Sequence, residues 1–186
     1  MYTPTTVKLA QFNNSWYQPG PGWKRGLWYL TNRLFYMSAI PWPSALKRVI
    51  LRLFGAKVGK RVVIKPRVSI KYPWFLEIGA DSWIGEGVWI DNLTLVSIGG
   101  NVCLSQDSLL LCGNHDYKKT SFDLLLGPIT LEEGVWIGAR AVVCPGVTCK
   151  THSVLSVGSV AVNDLEAYGV YQGNPAAKVR EREIGH

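Results

Sequence analysis

Aliphatic side chains recur every six residues along most of this chain. They fall at Val58, Ile64 and Ile70, at Ile78, Ile84 and Ile90, and at Ile98, Leu104 and Leu110. After a gap the same beat returns at Leu131, Ile137, Val143, Cys149 and Leu155. A period of six matches neither an amphipathic helix at 3.6 nor an alternating strand at 2. It predicts a solenoid of short parallel strands, three to a turn, with each aliphatic pointing into a triangular prism of about five turns. Glycine follows the aliphatic at Gly59, Gly79, Gly85, Gly99 and Gly138. There a side chain would crowd the corner or require a positive φ. The beat is broken at Ile70–Ile78, Ile90–Ile98 and, at greatest length, Leu110–Leu131. All three breaks come at the same point of the turn, so the inserted residues stack along one edge. Insertions on one side of a solenoid mark a binding face.

Upstream the pattern changes. Gly26 to Met37 has helical spacing, Pro41-Trp42-Pro43 interrupts it, and Ser44 is placed to cap a second helix over Ala45 to Phe54. That helix gathers Leu46, Val49, Ile50 and Leu53 on one face, puts Lys47, Arg48 and Arg52 elsewhere, and ends at Gly55. The expected organisation is a basic helical cap (1–57), a β-helix (58–168) with an extruded loop at 112–130, and a C-terminal tail or short helix (169–186). A solenoid needs its open end closed, which is one role for the helices. A basic, Trp-rich surface lying on an anionic membrane is a second, compatible role.

Charge adds direction to this picture. Of 186 residues, 20 are Lys or Arg and 13 Asp or Glu, for a net charge of +7. Thirteen of the basic residues precede Glu77, the first carboxylate, so the basic and acidic halves are segregated. Such asymmetry suggests that one end meets something anionic. Hydrophobic residues at 47% and charged residues at 18% exclude a disordered chain. Cys103, Cys112, Cys144 and Cys149 form no Cys-x-x-Cys pair and have no His at zinc-finger spacing. Free thiols in a cytoplasmic protein, without a metal site, are expected. No signal-peptide pattern is present, and Leu27 to Ile40 is too short and too polar to span a membrane. Neither an aromatic-studded strand motif nor a recognition helix points to nucleic acid.

The longest insertion carries the chemistry. Its sequence begins Leu111-Cys112-Gly113-Asn114-His115-Asp116-Tyr117. His115 is one of three histidines, with His152 expected on the surface and His186 terminal. A neutral imidazole accepts a proton near pH 7, as a general base must. No Gly-x-Ser-x-Gly elbow or Cys/His pair argues for covalent catalysis. Asn114 and Asp116 are local candidates to orient the ring. Asp91 and Asn92, one turn earlier on the same edge, are candidates for acceptor contacts.

Together the hexad beat, Gly113-Asn114-His115-Asp116, Val135-Trp136-Ile137-Gly138-Ala139-Arg140-Ala141, Pro145-Gly146-Val147 and Gly173-Asn174-Pro175-Ala176 resemble the hexapeptide-repeat, left-handed parallel β-helix acyltransferases. Trp16-Tyr17, Phe54-Gly55-Ala56, Tyr72-Pro73-Trp74 and Trp89-Ile90-Asp91-Asn92-Leu93 resemble the O-acetyltransferases of colanic-acid-type exopolysaccharide biosynthesis in particular. The galactoside and maltose acetyltransferases are more distant. Handedness comes from the resemblance alone, since generic crossover chirality favours the right-handed form.

The resemblance implies direct transfer from acetyl-CoA to a sugar hydroxyl, with His115 as general base and backbone N–H groups stabilising the oxyanion. It implies a homotrimer with the cosubstrate between subunits, contacted by Ala139, Val157 and Gly158 and, through its phosphates, by Lys178 and Arg180. Val157-Gly158-Ser159 stands where the family commonly has Ala-Gly-Ser, and Val162-Asn163-Asp164 where it has Thr-Lys-Asp. The acceptor is nucleotide-linked or lipid-linked, the latter fitting an enzyme peripheral at the inner face of the membrane. An amino-sugar N-acyltransferase of the same fold, or a non-catalytic scaffold or membrane-binding module, are the alternatives.

Overall fold

The computed structural model describes residues 5–185; the outermost ends of the cap and tail segments, and His186, lie outside the described residues. The hexad aliphatics stack in three parallel sheets, making the prism the left-handed parallel β-helix expected from the sequence. Val58, Ile78, Ile98 and Leu131 align across the first sheet. Ile64, Ile84, Leu104 and Ile137 align across the second. Ile70, Ile90, Leu110 and Val143 align across the third. Five strands build the first and third sheets and seven the second, giving five complete turns and part of a sixth.

Every hexad aliphatic is at most 9% exposed. Full burial of such a side chain is worth roughly 1.5–3 kcal/mol. A second inward row lies two residues before the first: Val62, Val68, Val88, Val102, Val135 and Val147 are also buried. Serine enters this row at Ser82, whose hydroxyl donates to the Gly99 carbonyl (2.9 Å) and accepts the Val102 N–H (3.1 Å). Of the two reasons for glycine after the aliphatic, crowding is the operative one. A Cβ on Gly59 would sit 2.5 Å from the Ala80 backbone nitrogen.

The cap is inverted with respect to the prism. Helices α1 (Gly22–Phe35) and α2 (Ser44–Leu53) close the open end, but α2 does so with its basic side. Some N–H groups of each turn donate to carbonyls of the next (Gly59 to Ile78, Val63 to Ser82, Lys65 to Ile84, Lys71 to Ile90), while others donate back, as Asp81 does to Lys60, so carbonyls between these positions face the turn before. The first turn therefore has orphan carbonyls, and the cap supplies donors for them. Arg52 donates to Val58 and Gly59, Arg48 to Val62 (2.8 Å), Lys47 to Ile64 and Lys65 (3.3 and 2.9 Å), and the Trp28 indole to Ile70 (2.9 Å). Lys and Arg are donor-only groups, suited to the carbonyls that this edge exposes. Ser44 is not a helix cap; its hydroxyl accepts the Ile64 N–H at 3.0 Å. Lys47 is wholly buried, whereas Leu46, Val49 and Leu53 point outward at 38%, 50% and 79% exposure.

This accounts for part of the charge segregation. Lys57, Arg61 and Arg67 pair with Glu77, Asp81 and Glu86 of the second turn. At the opposite end Asp164 Oδ1 accepts the Thr148 N–H (2.8 Å), and the Thr148 carbonyl accepts the Leu165 N–H (3.0 Å). The tail is a β-hairpin: Gly169–Gly173 extends the second sheet in parallel and Ala176–Glu181 folds back antiparallel.

Candidate active site

The 112–130 insertion is a two-stranded ribbon in which Gly113–His115 pairs antiparallel with Leu124–Leu126. His115 sits at its outer end. Its Nδ1 is 2.9 Å from the Phe122 carbonyl oxygen, which only accepts, so Nδ1 carries the proton and Nε2 the lone pair. The Phe122 ring stacks on the imidazole at 4.3 Å and 7°. Phe12 approaches it at 5.6 Å. Phe12 belongs to an arm that runs along the insertion edge towards α1. Lys8 N–H donates to Thr120 O (2.8 Å), Tyr17 OH to Leu93 O (2.6 Å), and the Trp74 indole to Pro19 O (3.0 Å).

The ring is therefore oriented by Phe122, not by either local candidate. Asn114 Oδ1 accepts the backbone N–H of His115 (2.8 Å), and Asp116 Oδ1 that of Lys118 (3.1 Å). Asn92 is also reassigned. It is fully buried, with Oδ1 accepting the N–H groups of Lys71 and Tyr72 and Nδ2 donating to Tyr72 O, so its amide is turned to the backbone and closed off from an acceptor sugar. Asp91 is half-buried and pairs in register with Leu111, four residues before His115. Burial raises its carboxyl above the ordinary value, with Lys71 pulling the other way. Cys112 is fully buried, and desolvation pushes its thiol up to about 12, far from a thiolate nucleophile at neutral pH.

A second cluster occupies a different edge, between the second and third sheets. A groove of about 970 Å³ is lined there by Ser105, Gln106, Trp136, Ala139, Val157 and Arg180, among others. Its floor is tight: a Cβ on Gly138 would lie 2.6 Å from the Val157 nitrogen. Gly158 adjoins it with φ +66° and open space where a Cβ would project. Trp136 donates from its indole to Ser105 Oγ (2.9 Å). Lys178 does not line the groove; it is paired with Glu181 at 2.6 Å. Arg182, which the sequence did not single out, does line it, anchored on the Gly134 and His152 carbonyls. His152 is half-buried and stacks on Tyr168 at 5.0 Å. Trp136 was recoverable from the pattern, since the residue before each inward aliphatic faces out. Phe12 and Phe122 had no such signal. Among the described residues no group of three or more His, Cys, Asp or Glu is placed to hold a metal.

No family model matches the chain. Over 133 residues it is 41% identical to WcaF of Escherichia coli (strain K12), named for colanic acid biosynthesis acetyltransferase activity; the match covers 72% of this chain and 73% of that one. Over 136 residues it is 31% identical to the galactoside O-acetyltransferase of the same organism, covering 71% and 66% of the two chains. It superposes on the structure of a galactoside acetyltransferase in complex with coenzyme A with a TM-score of 0.76, at 25% identity, covering 86% of this chain and 81% of that one. The identity, its extent and the shared β-helix establish that the chain belongs to this family of acetyltransferases and is an acyltransferase.

Proposed function

We propose that the protein transfers an acetyl group from acetyl-CoA to a sugar hydroxyl of an exopolysaccharide precursor, by direct attack with His115 as general base. The observation that carries this is the imidazole held at Nδ1 by Phe122, which leaves Nε2 basic. Nε2 takes the acceptor hydroxyl's proton as its oxygen attacks the thioester carbonyl. The tetrahedral intermediate then expels the thiolate, which recovers the proton from the imidazolium. Small residues at Gly138, Ala139 and Gly158 admit a pantetheine arm close to the backbone, and Arg180 supplies a cation for phosphate. Asp91, Asn114 and Asp116 are the polar groups available to an acceptor beside His115. The relatives' names, one for colanic acid biosynthesis and one for a galactoside, support a saccharide acceptor.

His115 and the groove lie on different edges of one prism, with the third sheet between them. A complete site therefore calls for His115 of one copy beside the groove of another, and the resemblance supplies the trimer that does this. Such an enzyme works where acetyl-CoA is made, on the cytoplasmic side, and a lipid-linked acceptor would bring it to the membrane. Replacing the base is expected to lower thiol release from acetyl-CoA by about 10²–10⁴ in His115→Ala without loss of β-structure. Unchanged turnover would overturn the assignment. Mixing His115→Ala with the groove-blocking Ala139→Trp, each inactive alone, is expected to restore part of the activity through mixed assemblies; no recovery would refute the shared site.

A further inference from the structure

We infer that the outer face of the helical cap is a seat for an anionic lipid bilayer. On α1, Trp23, Leu27, Leu30 and Leu34 are exposed by 52–72% and form one stripe opposite the buried Trp28 and Asn32. On α2 the outward face is Leu46, Val49 and Leu53, because the first turn's carbonyls draw the basic face inward. These residues make no contact that the fold requires, and apolar stripes of this kind bury themselves at an interface.

The surrounding charges choose the occupant. Lys47, Arg48 and Arg52 are engaged by carbonyls, and Lys57, Arg61 and Arg67 by carboxylates of the next turn. Lys24 lies 4.4 Å from the ring centre of Trp74. Three of the remaining cations, Arg25, Arg33 and Lys71, line a pocket of about 510 Å³ between α1 and the third sheet, on the side of α1 that carries Trp28 and Asn32, with Tyr29 and Trp89 in its wall. Among the described residues none of the three forms an ion pair within 4.0 Å, Lys71 acting on Asp91 only at longer range, and the sequence has no acidic residue before Glu77. A second copy docked on this face would bring the same cations into opposition, whereas a surface of lipid phosphates complements them. Tryptophan and tyrosine at the rim suit the headgroup layer. The proposal gives the membrane location in the functional reading its residues, and rests on that reading for its purpose but not for its measurement.

The test is co-sedimentation of the full chain with phosphatidylcholine vesicles, with and without phosphatidylglycerol, alongside a thiol-release assay on a soluble acceptor. The wild type is expected to sediment with the anionic vesicles and to stay in solution with the neutral ones. Leu30→Glu with Leu34→Glu should weaken partition at least about tenfold, and Arg25→Gln with Arg33→Gln should weaken it on anionic vesicles in a salt-sensitive way. The glutamate pair is expected to keep wild-type thiol release and the wild-type assembly size. Wild type that ignores anionic vesicles, a glutamate pair that sediments normally, or a glutamate pair that forms a smaller assembly would overturn the proposal, the last by showing that another copy covers the stripe. If no acceptor yields thiol release from any form, the acetyltransferase reading fails while the vesicle result stands.

Discussion

The prism and its cap follow opposite rules for what goes inside. In the turns the interior is hydrocarbon, with Ile90 and Leu110 fully buried. In α2 the buried position holds Lys47, while Leu53 is 79% exposed. The difference comes from the backbone. A middle turn has its backbone groups met by the turns on both sides of it, so its side chains have only apolar volume to fill. The first turn lacks a predecessor, and a buried carbonyl without a donor costs about 1–3 kcal/mol. Donors therefore outrank hydrocarbon at that boundary. Burial of a residue is decided by which groups the neighbouring backbone leaves unpaired, as well as by the residue's own polarity.

Truncation at three positions tests this contrast. Ile90→Ala, in mid-prism, should cost about 2–5 kcal/mol in denaturant unfolding, the range for deleting a packed aliphatic. Lys47→Ala should cost about 1–3 kcal/mol, because it strips donors from the Ile64 and Lys65 carbonyls. Leu53→Ala, a nominally hydrophobic loss, should fall within about 0.5 kcal/mol of zero. If Leu53 proved costlier than Lys47, the inversion of the cap would be wrong. The smallest effect is in pH. Burial lowers the Lys47 pKa from the ordinary 10.5. Between the folded value and 10.5 the unfolded chain holds the proton that the folded chain has lost, so this group's contribution to stability rises with pH across that window and is least favourable below it. The rise should vanish in Lys47→Ala.

The two candidate functional edges differ in how far the sequence exposed them. The insertion edge was legible because breaks in a strict period stack when the period is a turn, which set Asp91 and His115 on one side from spacing alone. The groove needed the resemblance, since Ala139 and Val157 are ordinary small and apolar residues until the turn places them beside Gly138 and Trp136. The orientation of His115 was beyond sequence reasoning, because its partner is a backbone carbonyl seven residues away, at a residue with φ +52°. Asn92 had the right type and edge for an acceptor contact, yet its amide closes the corner at Tyr72 instead.

By itself the sequence determined the period, and with it the three sheets, the inward aliphatics and the edge carrying the insertions, because these depend on spacing alone. It also fixed a charge segregation whose meaning it did not contain. Tertiary structure decided that meaning: the first turn has no predecessor to meet its carbonyls at Val58, Val62 and Ile64, so the cations of α2 turn inward onto them. It likewise brought Phe12 to the His115 ring across more than a hundred residues of chain. Long-range contacts of this kind follow from how elements stack in space, and no local pattern of residues encodes them.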